Sequence, residues 1–271
     1  NQRNLKALVV TNFEHIELAM GTGFRFQGST ELDTADLNAA IAAACAELHE
    51  ADRIFSLYKP ESPLSELAAG KTSVDKLPSV VSEIWDECER YEKLTDGWFS
   101  AFTPQHTFDP SGLVKSWAAL RACNILTEAG IIDFTLNAGG DVQISERNTD
   151  AQLWKVGITK PVSIASDESG ALVVVDLRGT ELTGVATSGS VERGSHIWNP
   201  KNPDQDPASV LKQISVIASD IVEADVWATA AFAEGLNAFK RIDALPNVEA
   251  MGILADGQIA ATPGFQALIA K

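Results

Sequence analysis

The residues with the clearest chemical meaning lie near the C-terminal end, where Thr229 follows Asp225 by four positions. In a helix this spacing puts a carboxylate and a hydroxyl on the same face, one turn apart. Such oxygen ligands suit Mg²⁺, which completes its shell with water and substrate phosphates, and a threonine hydroxyl binds Mg²⁺ in phosphate-binding loops. The pair therefore indicates a phosphate or pyrophosphate site. The alternative is a carboxylate near a helix start and a threonine packed among alanines.

The chain is strongly acidic, with a formal net charge of -16 over 271 residues. A field of this sign repels nucleic acid and anionic membranes, which argues against a nucleic-acid partner. A phosphate ligand would be repelled as well, unless a bound divalent cation supplies the local positive charge. The charge balance therefore favours metal-dependent phosphate binding.

The cysteines Cys45, Cys88 and Cys123 are isolated, without C-x-x-C spacing. This pattern indicates neither a zinc site nor a disulfide framework, and we expect three small buried hydrophobic side chains. Free thiols fit a reducing compartment, so we expect a cytoplasmic protein. Because the chain begins with Asn1, an exported or membrane-anchored form remains open if a leader was removed. No apolar run approaches the roughly 20 residues that span a bilayer, so no transmembrane segment is predicted.

Apolar spacing and breaker residues predict an alternation of helices and strands. Helices are predicted over 33–51, 79–94 and 112–129, and another carries Asp225 and ends near Gly235. Strands are predicted over 53–58, 134–136, 142–144, 154–158, 171–177 and 213–218, with a loop over 59–70 and a terminal hairpin at Asp256-Gly257. Because the elements show no regular βαβ repeat, the pattern indicates an α+β fold. We expect one domain over residues 1–271.

Several short motifs occur in a specific order along most of the chain. They are Met20-Gly21-Thr22, Ser56-Leu57-Tyr58, Gly97-Trp98-Phe99, Gly112-Leu113-Val114-Lys115, Asn137-Ala138-Gly139-Gly140-Asp141, Trp154-Lys155-Val156-Gly157-Ile158, Thr187-Ser188-Gly189, His196-Ile197 and Ala224-Asp225. Each motif is weak by itself, but the ordered set resembles the ApbE-type FAD:protein FMN transferases. The resemblance implies helices with a mainly antiparallel sheet, and a site where Mg²⁺ bridges the pyrophosphate of FAD.

The resemblance also assigns roles to individual residues. Asp225 and Thr229 match the metal-binding side chains, with a backbone carbonyl expected near Val114. Lys115 would lie near phosphate or adenosine oxygens; its alternative is a solvated surface lysine. The remaining ligand-binding positions are Met20, Thr22, Ser56 and Tyr58 on the flavin side, the turn residues Asn137, Gly139, Gly140 and Asp141, and Thr187 with Ser188. The alternatives are a core tyrosine at position 58 and an ordinary turn at the two glycines.

The implied reaction transfers FMN from FAD to a serine or threonine hydroxyl of an acceptor flavoprotein and releases AMP. His196 is the expected base, because an imidazole titrates near neutral pH; a structural histidine is the alternative. With water as nucleophile the same site would make an FAD pyrophosphatase. A non-catalytic FAD-binding protein is a third possibility, because Ser116 and Ser100 stand where the family usually has a glycine and an aspartate.

Two further features are expected to be structural. The segment Asp256 to Thr262 loosely resembles a flavin-acceptor motif, but Asp-Gly is a common hairpin turn, and we predict the turn. Three tryptophans are expected in the core rather than at a ligand: Trp98, Trp154 and Trp227.

Overall fold

The structure, a computed structural model, describes residues 10–150, 152–161, 170–189 and 197–271. The strands in these ranges are β1 (Thr11–Ala19), β2 (Thr22–Thr30), β3 (Asp133–Ala138), β4 (Asp141–Ile144), β5 (Lys155–Thr159), β6 (Ala171–Asp176), β7 (Gly184–Gly189), β8 (Leu211–Ala218), β9 (Glu249–Leu254) and β10 (Ile259–Ala261). The helices are α1 (Thr34–Phe55), α2 (Pro63–Ala68), α3 (Ser79–Leu94), α4 (Ser111–Glu128), α5 (Ile221–Glu234), α6 (Asn237–Asp243) and α7 (Phe265–Leu268).

The described strands form one large and one small antiparallel sheet. The large sheet has eight strands in the order β1-β2-β3-β4-β7-β8-β9-β10, and β5 pairs with β6 in the small sheet. Every neighbouring pair is antiparallel. The α+β class and the mainly antiparallel sheet are therefore confirmed.

The large sheet is covered on both faces in its central part. Apolar side chains of α1, α3, α4 and α5 form the main core with one face of the sheet. A second core lies between the opposite face and the β5–β6 sheet with α7. Adjacent residues of β7 contribute to different cores: Val185 lies in the second core and Ala186 in the main core. This alternation follows from the two-residue period of a strand.

Two of the sequence predictions about local structure are wrong. Residues 53–55 belong to α1, because Ile54 and Phe55 continue the buried stripe of Leu48 and Ala51 at helical spacing, and residues 56–58 form no strand. The segment 59–70 contains α2, which starts at Ser62 as N-cap with Pro63 in the first turn, an arrangement that favours helix initiation. The other predicted helices and strands are confirmed to within a few residues.

The expected structural roles of several side chains are confirmed. All three cysteines are free and buried, and Trp154 and Trp227 lie in the two cores, whereas Trp98 is only partly buried beside the main core. The segment after Asp256 is the β9–β10 hairpin, and Thr262 is 1% exposed, so its hydroxyl is not available as a flavin acceptor. None of the helices in the described ranges is long and apolar enough to cross a membrane.

Candidate functional site

The candidate site lies at one edge of the large sheet, where several predicted ligand-binding segments meet. Phe24 of β2 pairs with Ala138 of β3, so the β1–β2 turn and the β3–β4 turn lie at the same edge. Val142 pairs with Val185, which brings the end of β7 to this edge as well. The segments at Met20, Asn137–Asp141 and Thr187–Ser188 are therefore neighbours.

Three of the predicted residues occupy the sheet face that carries α4 and α5. Alternate residues of a strand share a face. Thr22, Asp141 and Ser188 are each two positions from a residue that faces this layer: Phe24, Gln143 and Ala186, respectively. Asn137 lies between Leu136 and Ala138, whose side chains are in the main core, so its position belongs to the opposite face. Its Oδ1 accepts a hydrogen bond from Gly140 N at 2.9 Å and closes the turn instead.

A buried ion cluster forms the centre of the site. The Lys115 ammonium of α4 donates to Asp141 Oδ2 of β4, and its Nζ lies 3.1 Å from Asp225 Oδ2 of α5. All three residues are at most 7% exposed. Thr187 N donates to Asp141 Oδ1 at 2.9 Å, which ties the end of β7 to the same carboxylate. Residues from two strands and two helices thus meet at one point.

The cluster holds two carboxylates against one ammonium among the described residues. Burial raises the pKa of the Asp141 carboxyl, while the Lys115 ammonium opposes this shift and the neighbouring Asp225 adds to it. Asp225 Oδ2 is buried and, apart from the ammonium, has no partner in the described ranges. A buried carboxylate oxygen without a hydrogen bond is costly. The cluster therefore has the donor oxygens and the charge to accept a cation.

Thr229 lies one turn after Asp225 on α5 and is half-buried. Val114 directly precedes Lys115 in α4 and is 1% exposed. The hydroxyl and the Asp225 carboxylate are the hard oxygen ligands that Mg²⁺ prefers. The residues present therefore fit a magnesium ion.

Helix α5 is fixed in place by buried polar contacts at its start. Asp220 caps the helix by accepting from Val222 N and Glu223 N, and Gln143 Oε1 accepts from Ile221 N at 2.8 Å. A Cβ at Gly184 would lie 2.0 Å from the Asp220 carbonyl carbon, so β7 and the helix start approach closely only because residue 184 is glycine. These contacts determine where Asp225 lies.

The Gly139-Gly140 turn needs its glycines for the backbone conformation. Their φ angles are +65° and +107°, which residues with a side chain rarely adopt.

We expect Gly140→Ala to lower the free energy of unfolding by about 1–3 kcal/mol, the usual cost of such strain. Urea denaturation measures it. Gly170→Ala is the matched control, because Gly170 has open space around its Cβ position and no positive φ; equal stability of the two variants would contradict the assignment.

The alternatives for two predicted ligand-binding residues can now be decided. Lys115 is not a surface lysine, because it is buried in the ion cluster. Tyr58 is not a core tyrosine, because it is 98% exposed. Ser56 caps the end of α1, and its carbonyl oxygen accepts from Ser62 Oγ at 2.5 Å and Ser65 Oγ at 3.1 Å. His196 lies outside the described residues, so its role stays a prediction.

The contact between Lys115 and both aspartates is the main feature that the sequence did not predict. The resemblance assigns all three residues to the site, but as separate contacts of a ligand. No local spacing indicates the cluster, since Lys115 and Asp141 are 26 positions apart. The one available signal is that three charged residues occur in segments otherwise suited to burial.

Known sequences that are similar to this chain all point to one family. The ApbE family model matches residues 101–251, more than half of the chain. A FAD:protein FMN transferase of Salmonella typhimurium is 25% identical over 163 residues, which are 57% of this chain and 45% of that protein. One from Rhodobacter capsulatus is 35% identical over 151 residues, 52% of this chain and 27% of that protein. The matches thus span less than half the length of these relatives.

Solved structures share the fold over nearly the whole chain. The flavin transferase ApbE from Vibrio cholerae has a TM-score of 0.74 at 17% identity, covering 96% of this chain and 100% of that one. The ApbE protein from Thermotoga maritima has a TM-score of 0.76 at 20% identity, with the same coverage of 96% and 100%.

Proposed function

We propose that this chain, which belongs to the ApbE family, transfers FMN from FAD to a serine or threonine hydroxyl of an acceptor protein and releases AMP. The observation that carries the proposal is the buried cluster of Lys115, Asp141 and Asp225 at the sheet edge. Curated relatives matched by part of the chain are named FAD:protein FMN transferases, which supports the same reaction class.

Asp225 and Thr229 would hold Mg²⁺, with a backbone carbonyl near Val114 as a further oxygen ligand. When bound, Mg²⁺ would neutralise charge on the pyrophosphate oxygens of FAD. The Lys115 ammonium is held between two carboxylates, so it is positioned as a second positive charge beside the phosphates. This local charge offsets the repulsion expected from the acidic chain.

The glycine turn and the end of β7 supply backbone and hydroxyl groups at the same edge. Gly139 and Gly140 carry no side chains, so a ligand can approach their backbone closely. Thr187 Oγ1 and Ser215 Oγ lie 2.8 Å apart on adjacent strands, on the face opposite the cluster. Ser188 is buried on the face of the cluster. We propose that these groups, with Met20 and Thr22, line the FAD site.

In the proposed reaction the acceptor hydroxyl attacks the phosphorus of the FMN half of FAD. A new oxygen–phosphorus bond forms, the bond to the AMP oxygen breaks, and AMP leaves. The hydroxyl proton passes to a base, for which we propose His196. Positioning and electrostatic stabilisation are the main contributions of a protein to phosphoryl-type transfer.

Product analysis tests the proposal. The purified chain is incubated with FAD and Mg²⁺, with and without a flavin-acceptor protein, and nucleotides are separated by chromatography. We expect AMP release that depends on the acceptor and no matching free FMN. Equal amounts of free FMN and AMP would instead identify a pyrophosphatase, and unchanged bound FAD a non-catalytic binding protein.

The His196 assignment predicts a specific kinetic effect. We expect His196→Ala to lower kcat by about 100-fold or more, the usual contribution of a general base, while the Kd for FAD changes little. Stopped-flow kinetics and FAD titration separate the two quantities. His106→Ala is the control, because His106 is an exposed histidine. Parallel losses in kcat and FAD binding would make His196 a binding residue.

Ser116, one of the two departures from the family pattern, is not expected to impair turnover. Its hydroxyl donates to the Leu113 carbonyl at 3.0 Å within α4 and is fully buried. We expect Ser116→Gly to lower the free energy of unfolding by about 1 kcal/mol, as for glycine inside a helix, and to leave kcat within twofold. Ser116→Ala is the control for the hydroxyl. A large gain in kcat for the glycine variant would show that the serine obstructs the site.

A further inference from the structure

A second group of metal-ligating side chains lies between β1 and α1, on elements other than those of the ion cluster. His15 and Glu17 are two residues apart on β1 and share the face toward α1. Cys45 and His49 are four residues apart on α1 and share the face toward β1. The two pairs therefore face each other between β1 and α1.

The donor atoms of this group are already close together. His15 Nε2 lies 3.1 Å from Glu17 Oε2 and 3.4 Å from Cys45 Sγ. One ligand atom from each of His15, Glu17 and Cys45 lies within 4.8 Å of the others. Around a tetrahedral zinc ion, bonds of about 2.0–2.3 Å put neighbouring ligand atoms about 3.3–3.6 Å apart. The distances between these ligand atoms are therefore already close to those expected around a bound zinc ion, without any movement of the side chains.

We propose that His15, Glu17 and Cys45 bind a zinc ion. A thiolate, an imidazole and a carboxylate form a mixed donor set that suits zinc and is too soft for magnesium. His49 Nε2 lies 2.8 Å from Glu17 Oε1. His49 would therefore orient the Glu17 carboxylate without contacting the metal, as residues that hydrogen-bond to metal ligands do. Water can fill the fourth position.

The surroundings favour a cation at this point. A bound thiolate and the Glu17 carboxylate together carry the charge that a divalent ion neutralises. The side chains lining this groove, an opening of about 700 Å³ between β1 and α1, include no lysine or arginine among the described residues. Arg25 on β2 is paired with Glu14, which lies on the opposite face of β1 from Glu17. The groove gives an ion direct access from solvent.

The ligands are also held in position by the fold. The Phe26 ring lies 6.3 Å from the His15 ring, centroid to centroid, and Cys45 is buried in the packing of α1. Burial and the nearby Glu17 raise the pKa of the Cys45 thiol to about 12. The metal-free protein therefore carries a thiol, and metal binding releases its proton to solvent. Cysteine spacing predicts no zinc site here because the ligands come from two elements, with Cys45 and His15 30 positions apart.

Equilibrium dialysis of the untagged chain against Zn²⁺, and titration with Co²⁺, test the proposal. Excess Mg²⁺ is present throughout, so that Asp225 does not retain the transition metal. We expect one equivalent of retained zinc and, with cobalt, a thiolate-to-metal charge-transfer band. Cys45→Ala and His15→Ala should lower affinity by at least about 100-fold, and His49→Ala by about 10–100-fold, as for an outer partner.

Matched variants make the result specific. Cys88→Ala removes another buried cysteine, and His106→Ala removes an exposed histidine; both should retain zinc like the unmodified chain. Circular dichroism checks that each variant is folded. Lack of retained zinc in the unmodified chain, equal retention in Cys45→Ala, or a cobalt complex without the charge-transfer band would each overturn the proposal. None of these outcomes depends on flavin transfer.

Discussion

Asp225→Asn is expected to abolish magnesium-dependent turnover while the protein stays folded. The variant removes a carboxylate oxygen that we propose as a metal ligand, and a metal ion stabilises transition-state charge by several kcal/mol. We therefore expect kcat to fall by at least about 100-fold, since each 1.4 kcal/mol is a factor of ten. The measurement is AMP release at saturating FAD across a magnesium titration.

The fold of the Asp225→Asn variant should survive because the remaining charges balance. Lys115 keeps its contact with Asp141, so one ammonium then faces one carboxylate. We expect the free energy of unfolding to change by less than about 1 kcal/mol, since no charge is left without a partner. Asp220→Asn on the same helix start is the control, because asparagine caps a helix as well as aspartate. Normal turnover of Asp225→Asn at high magnesium would refute the metal assignment.

Lys115→Met is expected to be the most destabilising single substitution at the site. It leaves Asp141 and Asp225 buried side by side without the ammonium that both now contact. Breaking a buried ion pair by removing one partner typically costs about 3–5 kcal/mol. Urea denaturation at neutral pH should show a loss of this size. Lys93→Met is the control, because the Lys93 side chain is 78% exposed and, in the part of the chain that the structure describes, its one ion pair is with Glu89 at 3.6 Å.

The loss in Lys115→Met should depend on pH with a defined sign. The pKa of the Asp141 carboxyl is already raised by burial, and removing the ammonium raises it further. A carboxyl whose pKa is higher in the folded state binds more protons there, so stability falls as pH rises through the folded-state pKa. The difference between the unmodified protein and Lys115→Met should therefore shrink as pH is lowered from 7 toward 5. A difference that grows in that range would contradict the buried-cluster interpretation.

The fold class could be predicted from the sequence because most elements carry local signals. The helix over Ser79–Leu94 has an amphipathic stripe and ends before Asp96-Gly97, and α5 runs from an aspartate cap to Gly235. The end of α1 differs from the prediction because Ile54 and Phe55 also fit a strand pattern. The sequence does not predict strand β7 because its small residues, such as Gly184 and Ser188, carry little strand propensity. Its pairing with β4 and β8 determines the strand instead.

The sequence names Lys115, Asp141 and Asp225 as candidate site residues, but it does not predict that they contact one another. The i, i+4 relation of Asp225 and Thr229 follows from the helix and was correct. The burial of Lys115 could not be predicted, because it results from packing α4 against α5 over a sheet edge that brings Asp141 near. The exposure of Tyr58 could not be predicted either, since an aromatic residue that follows a buried helix end fits a core position as well as a surface position.

The intact mass of a flavin-acceptor protein, after incubation with this chain, FAD and Mg²⁺, is the most direct test of the account. We expect the acceptor to gain the mass of one esterified FMN, which is FMN less one water, with a matching release of AMP. This gain should be lost with Asp225→Asn or with a chelator. An unchanged acceptor mass, in the presence of the folded chain with FAD bound, would contradict it.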